Sequence, residues 1–232
     1  MDYKKVIPII PSLDPDDKLI NVINDLIDNG FNKIILINDG TKDKTIFNEL
    51  SKKDEVILLT HEVNRGKGAA LKTSFSYYKD HLMNDYRGVI CLDSDGQHLV
   101  SDAIKVSNEM VKLDRFTLGT RLFNTYETPL RNKTGNRITS RVFKWFFKVY
   151  LKDTQTGLRA IPNRLIDLHL NTKVERFEYE MNALIDLVRA KEKINEVDIK
   201  TVYLENSNKK SHFKPFKDSW RIYKLMFKRL RK

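Results

Sequence analysis

The chain has 232 residues, enough to bury one sizeable core with an appendage, and its 41% hydrophobic and 31% charged content excludes a disordered or membrane-embedded polypeptide. A single cysteine, Cys91, excludes an internal disulfide framework and any CxxC metal site, and fits a reducing cytosol. The formal charge of +11 implies anionic partners and is unevenly spread: from Lys209 to Lys232 the only acid is Asp218, whereas Asp14 to Asp54 is rich in acids.

Met1-Asp2-Tyr3-Lys4-Lys5 leaves no room before Pro8 for the apolar core of a signal peptide. No run approaches the roughly 18 apolar residues that span a bilayer. Val6-Ile7-Pro8-Ile9-Ile10 reads as a first strand ending at Pro11. Asp14-Pro15 predicts an N-cap and first-turn proline for a helix whose apolar stripe is Leu19, Val22, Ile23, Leu26 and Ile27, closing at Gly30. Lys33 to Ile37 is a buried strand presenting Asn38-Asp39-Gly40, and Val56 to Leu59 is a third strand running toward Asn64. Gly66-Lys67-Gly68 opens a helix from Ala69 to about Leu82, and Gly88 to Leu92 is a fourth strand leading into Asp93-Ser94-Asp95-Gly96-Gln97-His98. A helix over Ala103 to Leu113 and a strand over Phe116 to Gly119 follow, then a polar, basic, turn-rich region from Arg121 to Arg141. Val142 to Tyr150 is aromatic and basic, a helix near Phe177 to Ala190 comes next, and a strand at Val197 to Tyr203 precedes the basic tail.

This alternation predicts an α/β fold with a mostly parallel central sheet flanked by helices, its polar clusters gathered at the carboxyl ends of strands, where ligands bind in open α/β sheets. Two aspartates one residue apart at such an end, with Gly96 easing the turn, suit a hard cation, Mg²⁺ or Mn²⁺, bridging a nucleotide diphosphate; an acidic turn without a ligand is the alternative for that spacing alone. His98, a single histidine after a turn, reads as a hydrogen-bonding residue rather than a metal ligand.

The whole string Asp93-Ser94-Asp95-Gly96-Gln97-His98 resembles the DxDGQH element of family 2 glycosyltransferases, especially those making polyprenyl-phosphate sugars. Asn64-Arg65-Gly66-Lys67-Gly68-Ala69-Ala70-Leu71 resembles the NxGKGAAL segment of that family, and Asp153-Thr154-Gln155-Thr156-Gly157-Leu158-Arg159 its DTQxGF element. Asn38-Asp39-Gly40-Thr41 stands where the family usually has DDGS, so the first position departs from the pattern. The matches run in order over roughly residues 6 to 204. The resemblance implies a GT-A (Rossmann-like) domain over 1–204, with a nucleotide-sugar half (1–120), an acceptor half (121–204) and a basic amphipathic extension over 205–232. It implies donor-binding roles for Pro11, Asp39, Lys67, Asp93, Ser94 and Asp95, and metal-binding roles for Asp93, Asp95 and Gln97. Asp39 in an Asx-turn and Lys67 as a solvated first-turn lysine are the plainer readings of those two residues.

Arg121, Arg131, Arg137, Ser140 and Arg141 carry the guanidinium and hydroxyl groups that bind a phosphate monoester, and they resemble the acceptor-phosphate region of dolichyl-phosphate mannose synthases. Glu178 and Glu180 resemble the acidic pair that follows it, and Asp153 and Glu180 are the candidate bases should the acceptor be a hydroxyl. Trp145, Phe146 and Phe147 read as core or, interleaved with Lys144 and Lys148, as a helix lying in a bilayer interface. The string from Ser211 to Ile222 resembles a segment that in many relatives leads into membrane spans, which leaves room for a separate small multi-span membrane protein as partner. Trp220, Tyr223 and Phe227 among basic residues have the composition of an interfacial anchor; a tail packed on the domain is the alternative.

The expected activity is inverting, metal-dependent transfer of a sugar from a nucleotide-sugar, expected to be a UDP-sugar, to polyprenyl (undecaprenyl) phosphate, with the protein peripheral on the cytoplasmic face of an anionic membrane. The alternatives are transfer to a sugar hydroxyl in capsule or wall polysaccharide synthesis and, from another class, nucleic-acid binding. The last is disfavoured by the absence of a recognition-helix, zinc-finger or RNP string.

Overall fold

The computed structural model describes residues 2–122, 130–173, 176 and 178–200. A seven-stranded sheet has the order β3-β2-β1-β4-β6-β5-β7, built from β1 (Val6–Ser12), β2 (Ile34–Asp39), β3 (Val56–His61), β4 (Gly88–Cys91), β5 (Thr117–Arg121), β6 (Arg159–Pro162) and β7 (Asn195–Ile199). β1 to β4 are mutually parallel and β5 is parallel to β7; β6 opposes both β4 and β5, so among the described strands only β6 runs against the rest. The expected mostly parallel α/β sheet is therefore present.

Both faces are covered. The helices α1 (Lys18–Asp28), α2 (Thr45–Leu50) and α4 (Val100–Leu113) bury Leu19, Val22, Phe47, Val106 and Met110 against one face. On the other face α3 (Lys67–His81), α5 (Leu130–Phe147), α6 (Ile166–Asn171) and α7 (Glu178–Arg189) bury Phe75, Phe143, Ile166, Tyr179 and Leu184. Cover on both faces is why β1 and β2 open as continuous apolar runs, Val6 to Pro11 and Ile34 to Ile37, rather than alternating ones.

Three expectations need correction. The first helix begins at Lys18, not at Asp14-Pro15: Asp14 adopts φ +48° and donates its N–H to Thr41 Oγ1 at 2.8 Å, so the two residues serve the crossing between β1 and β2. The region expected to be turn-rich up to Arg141 contains the start of the 18-residue α5. Its buried stripe is polar, which conceals it from a search for apolar periodicity. Asn136 Nδ2 donates to Lys152 O at 2.8 Å and Asn136 Oδ1 accepts from Thr154 N at 3.3 Å, with Thr139 and Ser140 buried beside them. Finally, β6 carries too few residues to announce itself, yet it lies inside the sheet. The tail over 205–232, the end of the strand expected to reach Tyr203, and the side chain of Arg131 lie outside the described residues.

Candidate active site

The carboxyl ends of β1, β2 and β4 share one edge of the sheet. Because β6 is antiparallel, its first residue joins them there: Cys91 at the end of β4 is in register with Arg159. The chain segment before β6 is thereby delivered against the acidic turn that follows β4.

In that turn Gly96 takes φ +73°, a conformation that side-chain-bearing residues rarely adopt, and Gln97 N–H donates to Asp95 Oδ1 at 3.1 Å. Asp93 faces inward. A Cβ built on Gly157 would stand 2.2 Å from Asp93 Oδ2, so the carboxylate occupies the space that glycine leaves. His98 is buried, with Nε2 3.4 Å from Asp93 Oδ2, and among the described residues neither ring nitrogen has an aligned hydrogen bond.

Lys67, at the first position of α3, joins the two halves of the sequence. Its Nζ donates to Asp93 Oδ1 at 2.6 Å and lies 3.2 Å from Glu180 Oε1 on α7. Burial alone would lower the pKa of this ammonium, but Asp93 and Glu180 outweigh it and hold the pKa above the usual lysine range. Asp93 shows the converse: burial opposes its charge, yet Lys67 and His98 keep the carboxyl well below the usual carboxylate range. Among the described residues Asp95 has no cation within ion-pair distance, and burial together with the neighbouring Asp93 pushes its pKa up against the smaller opposing pull of Gln97 N–H, His98 and Lys67.

Behind Glu180 lies Arg159, 4% exposed. Its Nε donates to Thr156 O at 2.9 Å, one terminal nitrogen to Glu180 O at 2.7 Å and the other to Thr154 O at 3.3 Å, while Nε lies 3.7 Å from Glu180 Oε1. The residue types from Thr154 to Arg159 were legible as a family string; the link from Arg159 to Glu180 depends on strand reversal and had no local signal.

Asp39 is buried and fully engaged. Its carboxylate accepts from Arg65 N at 3.0 Å and Gly66 N at 2.8 Å, and lies 2.8 Å from His61 Nδ1, whose Nε2 faces Thr73 Oγ1 at 2.9 Å. It thereby fixes the loop that launches Lys67. Asn38 Oδ1 accepts from Thr41 N at 2.8 Å, the turn-forming use available to asparagine or aspartate alike. Pro11, near the end of β1, is in register with Ile37, and Ser94 is half-buried within the Asp93 turn.

The residues expected at the acceptor are divided. Arg121 and Asp153 are paired with each other: Nε donates to Asp153 Oδ2 at 2.6 Å and a terminal nitrogen to Oδ1 at 3.0 Å, with Arg121 N and Gln155 N as further donors to the same carboxylate. Asp153 is fully buried. Ser140 is buried against Lys152 O, whereas Arg137 and Arg141 are exposed on the outer side of α5.

Among the described residues no three or more His, Cys, Asp or Glu side chains form a metal cage. The pair Asp93 and Asp95 nonetheless fits a divalent cation that takes its remaining oxygens from a ligand. The two carboxylates are close enough to raise one another's charging cost, no cation among the described residues forms an ion pair with Asp95, and hard cations favour such oxygens.

A family model described as "Glycosyl transferase family 2" matches residues 9–204. The chain is 31% identical to the UDP-N-acetylglucosamine–dolichyl-phosphate N-acetylglucosaminyltransferase of Methanococcus voltae, with 89% of each chain covered. It is 24% identical to a dolichyl-phosphate β-glucosyltransferase of Trichomonas vaginalis, over 87% of this chain and 67% of that protein. Among solved structures, mannosyl-3-phosphoglycerate synthase from Rubrobacter xylanophilus superposes with a TM-score of 0.70 at 14% identity, covering 97% of this chain and 74% of that one. Glucosyl-3-phosphoglycerate synthase from Mycobacterium tuberculosis, in complex with Mn²⁺, uridine diphosphate and glucosyl-3-phosphoglycerate, gives a TM-score of 0.66 at 14% identity over 90% and 76% of the chains. The fold is GT-A. With the ordered motifs around Asp39, Lys67, Asp93 and Asp153 converging on one sheet edge, the chain belongs to glycosyl transferase family 2.

Proposed function

We propose that this glycosyltransferase moves a sugar from a nucleoside-diphosphate donor, a UDP-sugar, to the phosphate of a polyprenyl lipid at the surface of an anionic membrane. The observation that carries this reading is the Lys67–Asp93–Glu180 cluster: a partly buried ammonium and an acidic turn at the carboxyl edge of the sheet, where a diphosphate can be received. The relatives named for dolichyl phosphate support the acceptor class.

A lipid phosphate is already anionic, so the transfer needs no general base. A phosphate oxygen bonds to the anomeric carbon from the side opposite the leaving group as the carbon–oxygen bond to the nucleoside diphosphate breaks, with inversion. No proton moves. A divalent cation, Mg²⁺ or Mn²⁺, held by Asp93 and Asp95 with Gln97 beside them would supply Lewis-acid neutralisation of the departing diphosphate. Lys67 adds a positive charge on the same side, and Asp39 fixes the loop that presents it. Both carboxylates expected as bases for a hydroxyl acceptor face cations: Asp153 is bound to Arg121, and Glu180 lies beside Lys67 and Arg159. That pairing favours a phosphate acceptor over a sugar hydroxyl.

For membrane association we assign the outer side of α5, where Ile138 and Trp145 are 47% and 66% exposed amid the exposed Arg137, Arg141 and Lys144. An apolar anchor ringed by basic side chains matches an anionic interface, at about 1 kcal/mol per basic residue near the surface. No helix among the described residues is long and apolar enough to cross a membrane. The test pairs a polyprenyl phosphate with the same polyprenol lacking its phosphate. UDP release that depends on the phosphate supports the assignment, and equal release with both acceptors contradicts it.

A further inference from the structure

Arg159 reaches the candidate donor site only through other residues. It is buried on the antiparallel strand and ties three backbone carbonyls, those of Thr154 and Thr156 in the segment before β6 and that of Glu180 at the start of α7. A planar fork donates from three separate nitrogens and so spans these segments, whereas a lysine ammonium offers all its donors from one nitrogen and loses that reach. Its Nε also lies 3.7 Å from Glu180 Oε1, and that same oxygen is 3.2 Å from Lys67 Nζ, which donates to Asp93. The side chains form one line of alternating charge, Arg159, Glu180, Lys67, Asp93, running from the sheet interior to the acidic turn.

Without Glu180, Lys67 would have Asp93 alone as its anionic partner among the described residues. Without Arg159, Glu180 would lose its inner cation and the backbone tie that sets the first turn of α7. The same guanidinium holds the segment that ends in Gly157, against which the Asp93 carboxylate rests.

We propose that Arg159 is a positioning residue for the nucleotide donor, acting through Glu180 to hold Lys67 at the Asp93 turn. Residues of the second half of the chain thereby set donor affinity in the first half. The inference rests on the donor reading given above.

A double-mutant cycle on UDP binding in the presence of Mn²⁺, measured by calorimetry, tests it. The dissociation constant is read on the folded fraction, because unfolded molecules lower the stoichiometry and leave the affinity unchanged. Arg159→Lys and Glu180→Gln are each expected to weaken UDP binding about tenfold, and the double variant no more than about twofold beyond the weaker single one, because residues acting in series are not additive. Independent losses multiplying to about a hundredfold, or unchanged affinity in Arg159→Lys, would overturn the inference. Should Arg159→Lys fail to fold, Glu180→Ala, which leaves the backbone carbonyls to Arg159 while breaking the link, is itself expected to weaken UDP binding about tenfold. Full UDP affinity in Glu180→Ala overturns the inference. Absence of UDP binding by the wild-type chain would instead overturn the donor reading, and this inference with it.

Discussion

The Asp93 carboxylate stands where a side chain at position 157 would otherwise be: a Cβ there would lie 2.2 Å from Oδ2 and 2.7 Å from Cγ. Gly157 does not adopt a positive φ, so alanine brings no backbone strain, and the short Asp93 side chain can yield. Gly157→Ala should therefore cost little stability while displacing Asp93 from Lys67. We expect a loss of kcat/KM of about 100-fold with a nearly unchanged Tm, since a displacement of about 1 Å at a reacting centre costs that much. Kinetics and thermal unfolding on one preparation check it.

Asp95 offers the opposite combination of stability and activity. Burial and the adjacent Asp93 raise its pKa, so its ionised form is disfavoured in the folded chain. Asp95→Asn should leave stability unchanged or higher and reduce Mn²⁺-dependent donor turnover by about 100-fold or more, in the range seen when a preorganised electrostatic group is lost. Normal turnover in this variant would remove Asp95 from the site.

His169 gives a pH dependence unrelated to catalysis. It is buried between Phe75 and Phe116, and burial, with Arg159 as a smaller contribution, lowers its pKa to about 3. A histidine with a lowered folded-state pKa takes up a proton on unfolding, so its contribution is present above its unfolded pKa of about 6.5 and is lost as pH falls toward 3. Between pH 6 and 5 the slope of unfolding free energy should approach about 1.4 kcal/mol per pH unit from this group. Denaturant unfolding of His169→Gln over the same window should lack that share of the slope.

Membrane association can be separated from chemistry. Trp145→Glu on the outer side of α5 should reduce co-sedimentation with anionic vesicles several-fold while leaving UDP affinity in solution within about twofold, because the exposed side chain lies outside the donor cluster. Unchanged sedimentation would remove α5 from the interface. Deleting Trp220 to Lys232 gives the corresponding test of the tail.

The sheet was legible because its strands are apolar runs punctuated by turn residues, and the donor edge because its motifs sit at strand ends. What escaped was non-local. The polar buried stripe of α5 resembles a solvated surface until Asn136 is seen paired with Lys152 O and Thr154 N. In sequence Arg121 and Asp153 stand apart as a phosphate-binding and a proton-accepting group, and only the arrival of the Asp153 segment beside β5 binds them to each other. The Arg159–Glu180 link requires the reversal of β6, for which a four-residue strand carries little periodic signal.

The most direct measurement is mass spectrometry of the lipid fraction after incubating the chain with a panel of UDP-sugars, Mn²⁺ and undecaprenyl phosphate. A glycosyl phosphate lipid is expected from at least one sugar, formed in equal amount to the UDP released and absent with Asp93→Ala. UDP release with sugar on a hydroxyl acceptor and none on the lipid phosphate would contradict the proposed function.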